Sequence, residues 1–191
     1  MSLAALQPQA SAPDAAPRPL HVIQGRFEVT DDARQMLTTV LGSCVAACIN
    51  DPVAKVGGMN HFLLPGDGGG EGMRYGVHAM ELLVNALLRR GARRERLQVK
   101  LFGGGRMFDK LADVGAQNAA FAERFVRDEG LAFAGGSLRG GQARRVQYWP
   151  VSGRARQSLL APTDAEVLAA ESRRMVAHAG PQDDGGGVEL F

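Results

Sequence analysis

The 191 residues are 45% hydrophobic and 22% charged, and Lys and Arg are nearly balanced by Asp and Glu, for a net charge of +2 and a pI near 8.8. A chain of this length can bury one sizeable core, and so mild a basic balance, with no basic stripe interleaved with aromatics, gives no argument for nucleic acid, so no nucleic-acid partner is expected. No apolar run approaches the roughly 20 residues that cross a bilayer, and Met1 to Pro19 lacks the basic start and apolar run of a secretory leader, so a cytoplasmic chain without membrane insertion is expected.

Residues 1–19 are rich in Ala, Pro, Gln and Ser and read as a disordered arm, because they carry too few large apolar groups to offset the entropy of ordering. The main domain is expected over 20–160. Strand-forming stretches follow at Leu20–Val29, Thr38–Leu41, Val45–Ile49 and Val56–Leu64, with Gly, Asp or Asn between most of them. Over Val77–Arg90 the period changes: Val77, Met80, Leu83, Val84, Leu87 and Leu88 fall on one helical face, and Gly91 follows as a stop. The arginines from Arg89 to Arg96 complement the dipole at that helix's C-terminus. Another strand is expected at Leu97–Phe102, then a helix over Asp113–Glu129 with Phe121, Phe125 and Val126 as its apolar stripe. Strands at Leu131–Phe133 and Arg145–Val151 complete the domain. Thr163-Asp164-Ala165-Glu166 is a capping box opening a C-terminal helix within 161–179, and 180–191 reads as a flexible tail. This order of elements lacks a regular βαβ alternation and predicts an α+β fold, a layered α/β sandwich with mostly antiparallel strands.

Cys44 and Cys48 are four positions apart. On an extended strand that is about 13 Å, beyond the roughly 7 Å between Cα atoms that a disulfide spans. A zinc site from Cys44, Cys48, His61 and His78 fits no ordinary ligand spacing, so no metal and no cofactor is expected. A redox pair is disfavoured because there is no Cys-x-x-Cys.

The densest chemistry lies in Thr38-Thr39-Val40-Leu41-Gly42-Ser43-Cys44-Val45 and in Gly57-Gly58-Met59-Asn60-His61-Phe62-Leu63-Leu64-Pro65. Gly42 permits a tight or left-handed turn in front of Cys44, and the small Ser43 lets a substrate come close to backbone N–H groups that stabilise an oxyanion. His61 lies on the expected antiparallel neighbour of the Cys44 strand. A polar ring inside an apolar run requires a partner, and an imidazole beside Cys44 is expected to lower the thiol pKa and hold it as thiolate. Phe102-Gly103-Gly104-Gly105-Arg106 lacks the Gly-Lys-Ser/Thr of a phosphate loop, so its glycines are assigned to close backbone approach near the site.

These segments, with Tyr75, Lys100-Leu101-Phe102-Gly103-Gly104, Gly115-Ala116-Gln117-Asn118, Gly135-Gly136 and Arg144-Arg145-Val146, closely resemble the chemoreceptor glutamine deamidase family, CheD, over roughly residues 20–155. The resemblance implies a layered α/β sandwich of the kind found in certain deamidating bacterial toxins, and conversion of glutamines on methyl-accepting chemotaxis receptors to glutamate. It carries the family's cysteine nucleophile onto Cys44, its histidine onto His61, and its active-site threonine, six positions before the cysteine, onto Thr38. Thr38 is then expected to orient the imidazole, although Thr38 and Thr39 point opposite ways on a strand. The implied partners are the cytoplasmic helical domain of the receptors and a chemotaxis phosphatase of the CheC type. The competing readings are a regulatory binding module without turnover and a glutamyl methylesterase, which shares the same thiolate chemistry and differs in its leaving group.

Overall fold

Along Val45–Asp51 every residue is buried, with Val45, Ala47 and Ile49 alternating with Ala46 and Cys48, so this strand requires apolar cover on both faces. A computed structural model describes residues 16–64, 70–107 and 113–161 and shows how that cover is supplied. The strands are β1 (Arg18–His21), β2 (Arg26–Thr30), β3 (Gln35–Leu41), β4 (Val45–Asp51), β5 (Val56–His61), β6 (Gln98–Gly103), β7 (Ala132–Leu138), β8 (Arg144–Trp149) and β9 (Arg154–Leu159). The helices are α1 (Gly70–Arg89) and α2 (Val114–Asp128).

Five strands form one sheet in the order β2-β5-β4-β6-β7, and four form a second in the order β1-β3-β8-β9. Among the described residues only β1–β3 and β6–β7 pair in parallel. Both helices pack on one face of the five-stranded sheet, where Val45, Ala47, Ile49 and Phe62 meet Met80, Leu83 and Leu87 of α1 and Phe121 and Phe125 of α2. The opposite face of that sheet, carrying Ala46, Cys48, Met59 and Phe102, meets Leu37, Leu41, Val146 and Tyr148 of the second sheet. The layers are therefore helices, sheet, sheet: an α+β sandwich with the five-stranded sheet in the middle.

The expected strand Leu20–Val29 is two strands in two different sheets, separated by a turn at Gln24-Gly25 where Gly25 takes a φ of +80°. β9 was missed because Arg154–Leu159 is polar and almost wholly exposed, an outer strand with no apolar alternation. α1 begins at Gly70, seven residues before its apolar stripe does. The ordered chain also reaches two residues into the segment read as an arm: β1 starts at Arg18, whose carbonyl accepts from Gln35 Nε2 at 2.7 Å. The rest of that arm described here is Ala16 and Pro17, and residues 1–15, the expected helix within 161–179 except Ala161, and the tail 180–191 lie outside the described residues. Among the arginines after α1, Arg96 binds the fully buried Asp51 through Nε at 2.9 Å and Nη2 at 2.6 Å, and Arg94 pairs with Glu129, so these cations staple the fold.

Gly57 and Gly58 on β5 allow the layers to close. A Cβ on Gly58 would run into the Glu28 carbonyl and stand 2.8 Å from both Leu83 Cδ1 and Val29 Cγ2. Gly58→Ala is therefore expected to lower stability by about 1–3 kcal/mol, the cost of overpacking a dense core, seen as a lower urea midpoint at unchanged m-value. An unchanged midpoint would contradict this packing.

Candidate active site

Antiparallel pairing of β4 with β5 runs from Asp51↔Val56 to Cys48↔Met59 and continues in the bridge Val45↔Phe62. In that register Cys44 and His61 lie diagonally across the pair. Cys44 shares its parity with Ala46 and Cys48, and His61 shares that of Met59, so both side chains belong to the face between the two sheets. His61 is 6% exposed.

The second sheet supplies the imidazole's anchor. On β3 the inward residues are Leu37 and Leu41, and Thr39 shares their direction. Thr39 Oγ1 donates to the Val22 carbonyl at 2.7 Å and lies 2.8 Å from His61 Nδ1. Nδ1 is also 3.3 Å from the Val22 carbonyl, which can only accept. Both contacts require Nδ1 to carry the proton, because the threonine hydrogen is already committed. Nε2 is thereby left as the lone-pair nitrogen, and it is buried with no hydrogen-bond partner among the described residues. This is the tautomer in which Nε2 can accept a proton.

The expected role of Thr38 is corrected by the same parity. Thr38 points away from the inter-sheet face, and its Oγ1 donates to the Val146 carbonyl on the neighbouring strand at 2.9 Å. Thr39 makes the contact with His61, and the alternation of adjacent residues on a strand was the sequence signal that separated the two.

Gly42 and Ser43 carry the chain from the four-stranded sheet to the five-stranded one. Their carbonyls are held by Gly105 N–H at 2.8 Å and by Asn118 Nδ2 at 3.1 Å, and Gly104 N–H binds the Cys44 carbonyl at 2.7 Å. The N–H groups of Ser43 and Cys44 donate to no carbonyl of another described residue. Gly42 is not in a left-handed conformation. A Cβ there would press on the Met107 side chain, whose Cγ lies 3.0 Å from its place. Gly103, at φ +107°, does adopt that conformation, and a Cβ on it would strike the Cys44 carbonyl. The glycine run after β6 thus lies directly behind the thiol. A residue that sequence reasoning left without a role is Asn118. Fully buried on α2, it also accepts from Leu64 N–H at 2.8 Å and so ties the segment after β5 to the one before Cys44.

Burial dominates the electrostatics. It pushes the Cys44 thiol up to about 11, against a smaller lowering by its own backbone N–H, and pushes His61 down to about 4, against a smaller rise from the Val22 carbonyl. The expected thiolate is therefore not the form of the free site: thiol and imidazole are both neutral at pH 7, and Cys44 Sγ donates instead to Gln24 Oε1 at 3.4 Å. Cys48, fully buried among apolar groups, is raised further by desolvation and lies outside the pair. His21 and His78 are exposed, and among the described residues no three His, Cys, Asp or Glu side chains are grouped to hold a metal. A cavity of about 340 Å³ near the start of α2, lined by Gly104, Arg106, Asp113 and Arg139 among others, includes neither Cys44 nor His61 in its walls.

Fold and site together define the class: a layered α/β sandwich that brings a thiol and a tautomer-fixed imidazole to one inter-sheet face. The family model described as CheD chemotactic sensory transduction matches residues 63–158. A Caulobacter sp. (strain K31) protein is 54% identical over 188 residues, spanning 96% of this chain and 98% of its own. One from Caulobacter vibrioides (strain NA1000 / CB15N) is 56% identical over 176 residues, spanning 90% and 92%, and one from Rhizobium rhizogenes is 51% identical, spanning 93% and 98%. Each bears the name "Probable chemoreceptor glutamine deamidase CheD". A solved Neisseria meningitidis structure of the DUF152 family model overlaps 71% of this chain and 76% of that one at 11% identity and a TM-score of 0.47. The chain belongs to the CheD family.

The hydrogen bonding at Nδ1 has a direct spectroscopic consequence. Nitrogen-15 NMR of the His61 ring is expected to show the Nδ1–H tautomer at neutral pH, to become a tautomer mixture in Thr39→Val, and to stay unchanged in Thr38→Val. A response in the Thr38 variant alone would return the orienting role to Thr38.

Proposed function

We propose that the protein deamidates glutamine side chains of chemotaxis receptors to glutamate, with Cys44 as nucleophile and His61 as proton carrier. The relatives' shared name supports the substrate class. The observation that carries the chemistry is the pair of acceptors on His61 Nδ1, Thr39 Oγ1 and the Val22 carbonyl, which leave a bare Nε2 on the face that Cys44 shares.

Because both groups are neutral in the free site, the reaction starts with transfer of the Cys44 proton to Nε2 as a carboxamide enters. The sulfur then bonds to the amide carbon, and the carbonyl oxygen takes the displaced electron pair as an oxyanion. The backbone N–H groups of Ser43 and Cys44 are the donors for it. The imidazolium returns its proton to the nitrogen, the C–N bond breaks, and ammonia leaves a thioester on Cys44. Water attacks that thioester while Nε2 takes its proton, and the S–C bond breaks to release glutamate and restore the thiol. Thr39 stabilises the imidazolium through Nδ1 at both stages. Cys48 takes no part.

The receptor's cytoplasmic helical domain is the substrate, since a glutamine side chain on an exposed helix can be presented to a site lying between two sheets. A phosphatase of the CheC type is the second partner in this proposal. The cytoplasm is the compartment where both are found. Among the described residues no helix is long and apolar enough to cross a membrane.

Incubation with receptor-bearing membranes, followed by peptide mass spectrometry, is expected to convert specific Gln residues to Glu with the wild-type protein. Cys44→Ala should lose that activity and His61→Ala should lower it roughly a hundred- to ten-thousand-fold. Identical peptides from wild type and Cys44→Ala would remove the enzyme reading for that receptor. In a pH series, kcat/KM is expected to fall below about 4, where His61 is protonated and cannot accept, and above about 11, where the thiol proton needed by the leaving amine is lost. An acid limb near the ordinary imidazole value of about 6.5 would instead mean an ion pair in the free site.

A further inference from the structure

The thiol already has a carboxamide side chain against it. Gln24 sits in the exposed turn between β1 and β2, and its Oε1 accepts from Cys44 Sγ at 3.4 Å. Tyr75 of α1 backs this turn, with its hydroxyl 3.6 Å from where a Gly25 Cβ would stand. The turn is also tied to the site through its backbone: Gly25 N–H donates to the His61 carbonyl at 2.7 Å, and Val22 N–H donates to the Thr38 carbonyl at 2.9 Å. The backbone on either side of Gln24 is thus anchored to β3 and β5.

A carbonyl oxygen can only accept, so the one hydrogen on Cys44 Sγ is directed at Gln24. Over the same face His61 Nε2, the atom that must receive that hydrogen, is buried and has no partner among the described residues. A buried acceptor left unsatisfied carries a cost, which is removed when a donor turns to it. The thiol hydrogen is therefore aimed at Gln24 and not at the imidazole.

We propose that Gln24 is a built-in occupant of the substrate amide's place: it holds the Cys44 proton away from His61 until a receptor glutamine displaces it. The inference rests on the deamidase reading for its purpose, and on the thiol–carboxamide contact alone for its geometry. Gln24 is a positioning residue, since it acts by directing the thiol hydrogen. Displacement by an incoming glutamine frees that hydrogen to turn to Nε2, so the thiolate forms only when a carboxamide is there to be attacked. A partly buried thiol held in this way is guarded against adventitious electrophiles and oxidants, which react with the thiolate.

The test separates this device from the activity. Iodoacetamide alkylation of Cys44 at neutral pH, followed by intact mass with Cys44→Ala as the blank, needs no receptor. Gln24→Ala should be alkylated roughly fivefold faster than wild type, the weight of one neutral hydrogen bond. Gln24→Glu keeps an acceptor of greater strength and should be alkylated more slowly than wild type. On receptor, Gln24→Ala should lower KM with kcat unchanged, because a competitor has gone. Equal alkylation of Gln24→Ala and wild type, the same direction of change in both variants, or a fall in kcat for Gln24→Ala would each overturn the proposal. Altered alkylation without receptor deamidation by any form would leave the Gln24 contact standing and remove the deamidase reading instead.

Discussion

The register of β4 against β5 is the constraint on which the site depends. Antiparallel pairing fixes which side chains share a face, and a slip of one residue would send Cys44 and His61 to opposite faces of the sheet. The slip is prevented by burial on both faces: Val45, Ala47 and Ile49 are committed to the helices, Ala46 and Cys48 to the second sheet, and neither set can exchange without exposing a core. The chemistry of Cys44 and His61 is thus positioned by the same apolar alternation that holds the three layers together.

Placing a thiol and an imidazole between two sheets has an electrostatic cost. Desolvation disfavours both the thiolate and the imidazolium, so the resting site is neutral, and its order comes from hydrogen bonds of definite direction. Thr39 and the Val22 carbonyl set the tautomer, while Gln24 sets where the thiol hydrogen lies. Those contacts come from β3, the β1–β2 turn and β5, three segments brought together only where the two sheets meet. The glycines behind the thiol and Asn118 on α2 fix the chain on either side of it by accepting and donating to main-chain groups, which leaves the side chains of the site free to react.

Much of this was legible in the chain itself. The helical stripes of α1 and α2 and the strong β-formers of β3 to β6 reported their own positions, because each element must hide an apolar face at its own period. Cys44 and His61 stood out as polar groups set in apolar or glycine-rich runs, a local inconsistency that marks a site. The outer strand β9 was not visible, since it is held mainly by main-chain pairing to β8 and its side chains face solvent. The split between β1 and β2 was hidden in one continuous β-favouring stretch, because the turn at Gln24-Gly25 is defined by which sheet each half joins.

The sequence by itself determined the layered class, the family, and the residues capable of thiol chemistry, since composition, period and motif are properties of neighbouring positions along the chain. Tertiary structure alone decided that Thr39 and not Thr38 meets the imidazole, that the thiol and imidazole rest neutral, and that a glutamine of the protein's own lies against the thiol. Each of these depends on how two sheets are stacked and how deeply a group is buried between them, and neither quantity is carried by any local stretch of sequence.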